Sequence, residues 1–202
     1  MHRRNSEETM QRLLDAGAEL FDKKGYHNVS IKEIGRLAGC NSALISYHYG
    51  SKQALYQAII ENQPQAIQQL QERLEEEGLP PLERLKEYLH TILKSQLDPK
   101  RHMIILYQEL ITPSGLLSSD SWSRLSRMGD YVQQLLTQAV AQGELRAPQK
   151  EDDYNYVTFI LTAVTEMLFL VKDSPLQLNP EGHPSDVMLE KLINYVLRPM
   201  LP

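Results

Sequence analysis

The stretch NSALISYHYGSK, residues 41–52, gathers small side chains, two tyrosines, a histidine and a lysine. Ser42, Ala43 and Ser46 are small enough to let a backbone come close to the edges of base pairs. Tyr47, His48 and Lys52 flank them with groups able to reach phosphate oxygens. Ser30 and Asn41 stand where helices can begin, and a helix N-terminus offers unpaired N–H groups and a favourable dipole to an anion. Lys32 adds a cation to the same segment. These are the residue types of a nucleic-acid contact surface.

Two further groupings could carry chemistry. Glu87 and His90 form Glu-x-x-His, the spacing by which one helix offers two ligands to a di-iron site; such a site needs a second copy and two more carboxylates. No second Glu-x-x-His occurs, so a solvated polar helix face accounts for the pair. Cys40 is the only cysteine, which excludes an internal disulfide and a cysteine-based zinc cluster within one chain. Its oxidation would disturb the adjoining segment; packing as a small buried residue is the alternative. The sequence has no glycine-rich phosphate loop, no Gly-x-Ser-x-Gly and no His-Glu-x-x-His. No catalytic residue, metal or cofactor is therefore expected.

The elements that must hold these residues follow from pattern and punctuation. The chain has 202 residues, 42% of them hydrophobic and 23% charged, a composition that fits a soluble globular protein and excludes a disordered one. No run approaches the ~18 apolar residues of a membrane span, and MHRRNSEETM lacks the apolar stretch of a signal peptide. A cytoplasmic protein with no membrane partner is expected. The net charge is −5, but residues 1–56 hold eight Lys/Arg against six Asp/Glu, while the remainder holds 13 against 20. Only the first quarter is suited to meet phosphate.

Met10, Leu13, Leu14, Gly17, Leu20 and Phe21 recur on one helical face, with Asn5 or Ser6 as the expected cap and Gly25 as the stop. Ser30 with Glu33 three residues on reads as a capping box opening a short second helix, whose inner face is Ile31, Ile34 and Ala38. Gly39 supplies a left-handed turn, and Asn41 caps a third helix from roughly Ser42 to Tyr47, with Leu44 or Ile45 facing inward. Ser51 caps a fourth, which Pro64 should kink or break near Gln63. Two helices joined by a tight glycine turn and braced by a third make a helix-turn-helix, whose second helix can enter the DNA major groove.

The stretch GYHNVSIKEIGRLAGCNSALISYHYGSKQALY, residues 25–56, resembles the DNA-binding domain of the TetR family of bacterial transcriptional regulators. Ser30, Ile34, Ala38, Gly39, Tyr47, Tyr49, Ser51 and Lys52 stand at positions of the family pattern, with Phe21 and Gly25 upstream. The resemblance covers about residues 8–60. Gly35 departs from the usual alanine, which should weaken the second helix by up to ~1 kcal/mol if the site is exposed. Leu44 and Ser46 replace the threonine and tyrosine of many members, so the resemblance implies a docking mode without implying an operator sequence.

Further helices are expected over Leu82 to Leu93, Met103 to Ile111, Leu125 to Ala139, Tyr154 to Val171 and Val187 to Leu197, without strand alternation or internal repeats. The fold class is all-α. The expected organisation is an N-terminal three-helix helix-turn-helix domain over 1–52, with the connecting helix from 52, and a C-terminal helical bundle over 53–202. In TetR-like proteins such a second domain binds a small molecule and dimerises, usually through its last two long helices. YVTFILTAVTEMLFLV, residues 156–171, carries more apolar surface than one side of a monomeric helix needs; a fully buried core helix is the alternative. Met103, Tyr107, Trp122, Met128 and Tyr131 are candidate ligand contacts, with His102, Gln108 and Glu109 as polar anchors. A plain core accounts for the same residues.

The resemblance implies a homodimeric regulator, by family habit a repressor, that binds a palindromic double-stranded DNA operator and is released by a small-molecule effector. An all-α small-molecule-binding protein without sequence-specific DNA binding, and a helical enzyme, are the rival classes.

Overall fold

Capping residues and left-handed glycines punctuate the N-terminal helices, and no strand occurs among the described residues. The computed structural model describes residues 2–98, 104–119, 122–123, 128–147, 150, 153–171 and 184–202. The helices are α1 (His2–Lys24), α2 (Ile31–Leu37), α3 (Ala43–Tyr49), α4 (Lys52–Glu76), α5 (Pro81–Leu97), α6 (Ile104–Ile111), α7 (Met128–Ala141), α8 (Asp153–Val171) and α9 (Ser185–Leu197). Short 3-10 turns occupy Tyr26–Asn28 and Arg198–Met200.

By contact the chain divides into two compact units: residues 1–65 with 98–122, and residues 66–97 with 123–202. The functional division expected at residue 52 concerns what each part binds, and remains a proposal.

In the first unit α1 starts at His2 rather than after a cap at Asn5 or Ser6. Nothing between residues 2 and 8 breaks a helix, since neither glycine nor proline occurs there. Gly25 ends α1 at φ 73°, donating its N–H to the Phe21 carbonyl at 2.8 Å. Leu13 and Phe21 are fully buried on the expected face. Gly17 allows the close approach of α4: a Cβ there would lie 3.1 Å from Ile59 Cδ1 and 3.2 Å from Leu55 Cδ2. Phe21, Tyr26 and Tyr56 form an aromatic cluster, with Phe21 edge-on to Tyr56 at 5.1 Å between centroids and Tyr26 at 4.9 Å from Tyr56.

The capping box at α2 is complete: the Glu33 N–H donates to Ser30 Oγ at 3.2 Å, and the Ser30 N–H donates to Glu33 Oε2 at 2.9 Å. Glu33 also accepts from Lys24 Nζ at 2.8 Å. These bonds lower its carboxyl to about 2, with Lys24 the largest cause. Ile34 and Ala38 face inward as expected, whereas Ile31 is exposed. Ile31 is the first helical residue, three positions before the buried Ile34 and Gly35 begin the packed part of α2.

α4 is one continuous helix through Pro64, so the expected break near Gln63 does not occur. Proline removes one backbone bond and crowds the preceding turn at roughly 3 kcal/mol. Tertiary packing before and after it, at Leu55, Ile59 and Ile60 and again at Leu74, holds the helix together.

In the second unit α5, α7, α8 and α9 pack against one another. Their shared core includes Leu85, Leu89, Leu93, Leu135, Leu136, Leu161, Leu189 and Ile193, with Leu74 from the end of α4. Each such side chain contributes about 1.5–3 kcal/mol on burial. Glu144 Oε2 accepts from the Leu82 N–H at 2.9 Å, satisfying a free donor in the first turn of α5. The Arg146 N–H donates to the Met200 carbonyl at 2.6 Å, tying the C-terminal turn to the segment after α7. No helix among the described residues is long and apolar enough to cross a membrane.

Candidate functional site

The turn between α2 and α3 is built on Gly39 and Gly35. Gly39 adopts φ 62°, as its place in the sequence predicts. The Cys40 N–H reaches back to the Gly35 carbonyl at 2.8 Å, and the Gly39 N–H to the Arg36 carbonyl at 3.2 Å. This pair of bonds closes the C-terminal end of α2. Gly35 is buried, and a Cβ on it would lie 2.9 Å from Ser42 N, 3.0 Å from Ser42 Cα and 3.0 Å from Cys40 O. All three are backbone atoms. The weakening expected of Gly35 if exposed therefore does not apply to this buried site: its lack of a side chain permits the approach of the segment that starts α3.

α3 is capped by Asn41, whose Oδ1 accepts from the Ala43 N–H at 2.9 Å. Ile45 is the inward residue, fully buried. Ala43, Ser46 and Tyr47 lie away from it, three or four positions apart. All three are exposed, and Tyr47 retains 80% of its surface. His48 is half-buried, its ring 4.8 Å from that of Tyr47 in an edge-on arrangement.

Two residues of the recognition segment look inward. Tyr49 donates its hydroxyl to the Met10 carbonyl at 2.9 Å, pinning the end of α3 to α1. Burial is the main cause that raises its pKa, with Asp15 adding to it. Lys52 donates Nζ to the Tyr26 carbonyl at 2.9 Å and the Val29 carbonyl at 2.8 Å, and stands 4.1 Å from the centroid of the Tyr26 ring. Partial burial lowers its pKa. Lys52 thus braces the start of α4 against the turn before α2.

The remaining candidates sort by partner. Ser30 is engaged in the capping box, Asn41 in the α3 cap, and Lys32 is exposed on α2. Cys40 accepts from Arg12 Nη2 at 3.1 Å and its thiol lies 3.3 Å from the Ala38 carbonyl, a packed position within the turn. The structure therefore brings Ala43, Ser46 and Tyr47 together on the open side of α3, and leaves Ser42 half-buried at its start, with its backbone against Gly35. The positioning roles of Gly35 and Tyr49 escape a reading by residue type, because glycine and tyrosine are common and only the approach distance reveals the constraint.

In the second unit a cavity of about 10 Å³ is lined by Tyr88, Leu89, Ile92, Val132, Thr162, Thr165 and Glu166. That is room for about one water molecule. Burial raises Glu166 to about 7 in spite of the Gln96 amide, which donates Nε2 to Glu166 Oε2 at 2.8 Å and pulls the other way. Burial also raises Tyr88 to about 12. Of the candidate ligand contacts, Tyr131 is not in this lining; it is buried behind it, with its ring edge-on to the lining residue Tyr88 at 4.9 Å. Its hydroxyl donates to Glu75 at 3.1 Å. Tyr107 is buried and Trp122 half-buried in the first unit, and neither is among the lining residues. Met103, His102 and the side chain of Met128 lie outside the described residues.

Gln108 is exposed, while Glu109 is buried and accepts from Tyr56 in the first unit. The lining on α8 had a signal in the sequence: threonines at 158, 162 and 165 and Glu166 form a polar stripe in a run that is otherwise apolar. His90 Nε2 lies 3.1 Å from Glu190 Oε2, and Glu87 accepts from the Thr91 hydroxyl at 3.2 Å. Among the described residues no group of three or more metal-ligating side chains gathers.

Residues 13–59 match the family of bacterial regulatory proteins, tetR family. The HTH-type transcriptional regulator SrpR of Pseudomonas putida is 28% identical over 146 residues, covering 69% of this chain and 65% of its own length. RutR of Escherichia coli (strain K12) is 27% identical over 154 residues, covering 76% of this chain and 70% of its own. Two solved structures share the fold. A gamma-butyrolactone receptor (ArpA-like protein) superposes with TM-score 0.78 at 20% identity, over 98% of this chain and 90% of that one. CprB from S. coelicolor A3(2) does so with TM-score 0.76 at 21% identity and the same coverage. The glycine-turned pair of helices, braced by Tyr49 and α1, lies within the matched segment, and residues 13–59 belong to the TetR family of bacterial regulatory proteins.

Proposed function

We propose that this chain is a transcriptional regulator, a repressor by family habit, that binds a palindromic operator as a homodimer and is released by a small-molecule effector. The observation that carries the reading is the open side of α3: Ala43, Ser46 and Tyr47 exposed on a helix whose opposite residue, Ile45, is fully buried. A short helix with small side chains outward can lie close to base edges. Tyr47, His48 and Lys32 can reach phosphate or sugar oxygens, while Lys52 acts by holding the turn in place.

One recognition helix of two turns makes few contacts, and two-fold pairing doubles them on a symmetric site. The exposed apolar residues Tyr156, Phe159, Ile160 and Met167 on α8, with Val187 and Tyr195 on α9, supply a surface for a second copy. In this reading residues 1–52 read DNA, and residues 53–202 bind the effector and dimerise. The cavity beside Glu166 is the effector site. It holds about one water as it stands, so an effector has to widen it. Release of DNA then follows if the widened form binds the effector better and DNA worse.

Selection from a random double-stranded DNA pool by the purified protein at near-physiological salt tests this. Enrichment of a two-fold motif is expected. Enrichment of nothing by a folded, ligand-free sample would overturn it and favour an all-α small-molecule-binding protein.

A further inference from the structure

The polar stripe of α8 differs from an ordinary core face in what it leaves unpaired. Thr158, Thr162, Thr165 and Glu166 share one side of the helix. Thr165 is 1% exposed and donates to the Leu161 carbonyl at 2.9 Å. Thr158 Oγ1 and Thr162 Oγ1 are buried without a hydrogen-bond partner among the described residues. Gln96 on α5, 3% exposed, donates Nε2 to Glu166 Oε2, while its Oε1 is buried without a partner among the described residues. Native interiors leave few such groups, and an unmet buried acceptor costs ~1–3 kcal/mol. Here Thr162 lies on the cavity wall with the Glu166 carboxylate, and Gln96 stands next to that carboxylate.

We infer that the cavity between α5, α7 and α8 binds an organic ammonium, a protonated primary amine carried on a flat apolar body, with Glu166 and Thr162 accepting its N–H groups. The inference rests on the reading that this unit takes the effector, and adds its chemical class. Leu89, Ile92 and Val132 supply the apolar wall, and the Tyr88 ring offers a face that attracts a cation. Three N–H donors on one nitrogen match a site in which oxygen acceptors outnumber donors. Desolvation holds the Glu166 carboxyl near neutrality, so a bound cation recovers the penalty of its charged form. A lactone presents only acceptors. It would find donors only in hydroxyls, those of the threonines and Tyr88, and in a protonated Glu166, so the two ligand chemistries separate on the charge of this carboxylate.

The test is isothermal titration of the full-length protein, without DNA, at neutral pH and fixed salt. Phenethylamine is compared with phenethyl alcohol, which has the same shape and no charge, and with gamma-butyrolactone. The amine should bind tighter than either by about tenfold, the size of one charge-assisted hydrogen bond. Glu166→Gln should erase the preference for amine over alcohol. Thr162→Val should weaken amine binding while keeping the preference. Equal binding of amine and alcohol, no detectable binding of the amine, or an undiminished preference in a folded Glu166→Gln protein would each overturn the inference. If Glu166→Gln fails to fold, the comparison of amine with alcohol in the unaltered protein decides by itself. Binding is read without DNA, so amine binding alongside an unenriched DNA pool would sink the regulator and leave the site. An enriched operator with no amine preference would do the reverse.

Discussion

Tyr56 and Glu109 are joined by a 2.6 Å hydrogen bond from the tyrosine hydroxyl to Oε1, buried within the first unit. Glu109 is 2% exposed, and its other oxygen accepts from the Ser114 N–H at 3.0 Å. The pair fastens α4 to α6 and to the segment after it. Desolvation, aided by Glu109, pushes the Tyr56 hydroxyl far above its usual range, so the bond persists across working pH. Tyr56→Phe removes the donor and leaves a buried carboxylate short of a partner. It should cost ~1–3 kcal/mol in urea unfolding; a loss within error would mean that water replaces the hydroxyl.

Gly35→Ala should destabilise the protein, although alanine is the better helix former by ~1 kcal/mol. The added Cβ meets the Ser42 and Cys40 backbone. A lower melting temperature and weaker DNA binding are expected together, because the start of α3 has to move. A gain in stability would show that the turn relaxes freely.

Lys32→Ala and Lys52→Ala should differ in salt dependence. A lysine contacting one phosphate per head contributes ~2 to the salt slope of a dimer, so loss of Lys32 should reduce the slope by about that amount. Lys52 is engaged with the Tyr26 and Val29 carbonyls, so its loss should lower affinity and stability with the slope little changed. A reduced slope for Lys52→Ala would place its ammonium on the DNA. Enlarging Ala43 or Ser46 should instead change which bases are preferred in a repeated selection.

Phe159→Asp and Tyr195→Asp place a charge where each residue is at least 70% exposed. The substitutions should leave helicity intact by circular dichroism and convert the dimer to monomer in sedimentation equilibrium. A persistent dimer would move the interface elsewhere.

Glu166 links stability to pH with a definite sign. Its carboxyl is raised from 4.5 to about 7 in the folded protein. Between those values the folded state holds a proton that the unfolded state has released, so this group's contribution falls as pH rises through 7. Glu166→Gln should therefore gain stability relative to the native protein on going from pH 5 to pH 8, by an amount on the order of 3 kcal/mol at most. A pH-independent difference would mean that the carboxyl titrates normally.

The order of helices, the capping box at Ser30 and Glu33, the turn at Gly39 and the caps at Asn41 and Ser51 are legible in the sequence because each depends on a few neighbouring residues. Local hydrogen bonds and one backbone angle decide them. The inward residue of α3 is narrowed by the sequence to Leu44 or Ile45, since these are the two aliphatic side chains of the helix's first turns; only packing selects Ile45. Tertiary structure alone decides the rest. Lys52 is a cation by composition, and only the approach of the Tyr26 and Val29 carbonyls turns it inward. Gly35 reads as a weak point until Ser42 is seen beside it. Pro64 predicts a kinked or broken helix, yet α4 runs on unbroken because burial on either side outweighs one lost bond. Glu166 becomes distinctive only where α5, α7 and α8 meet, because desolvation is a property of surroundings brought together from distant parts of the chain.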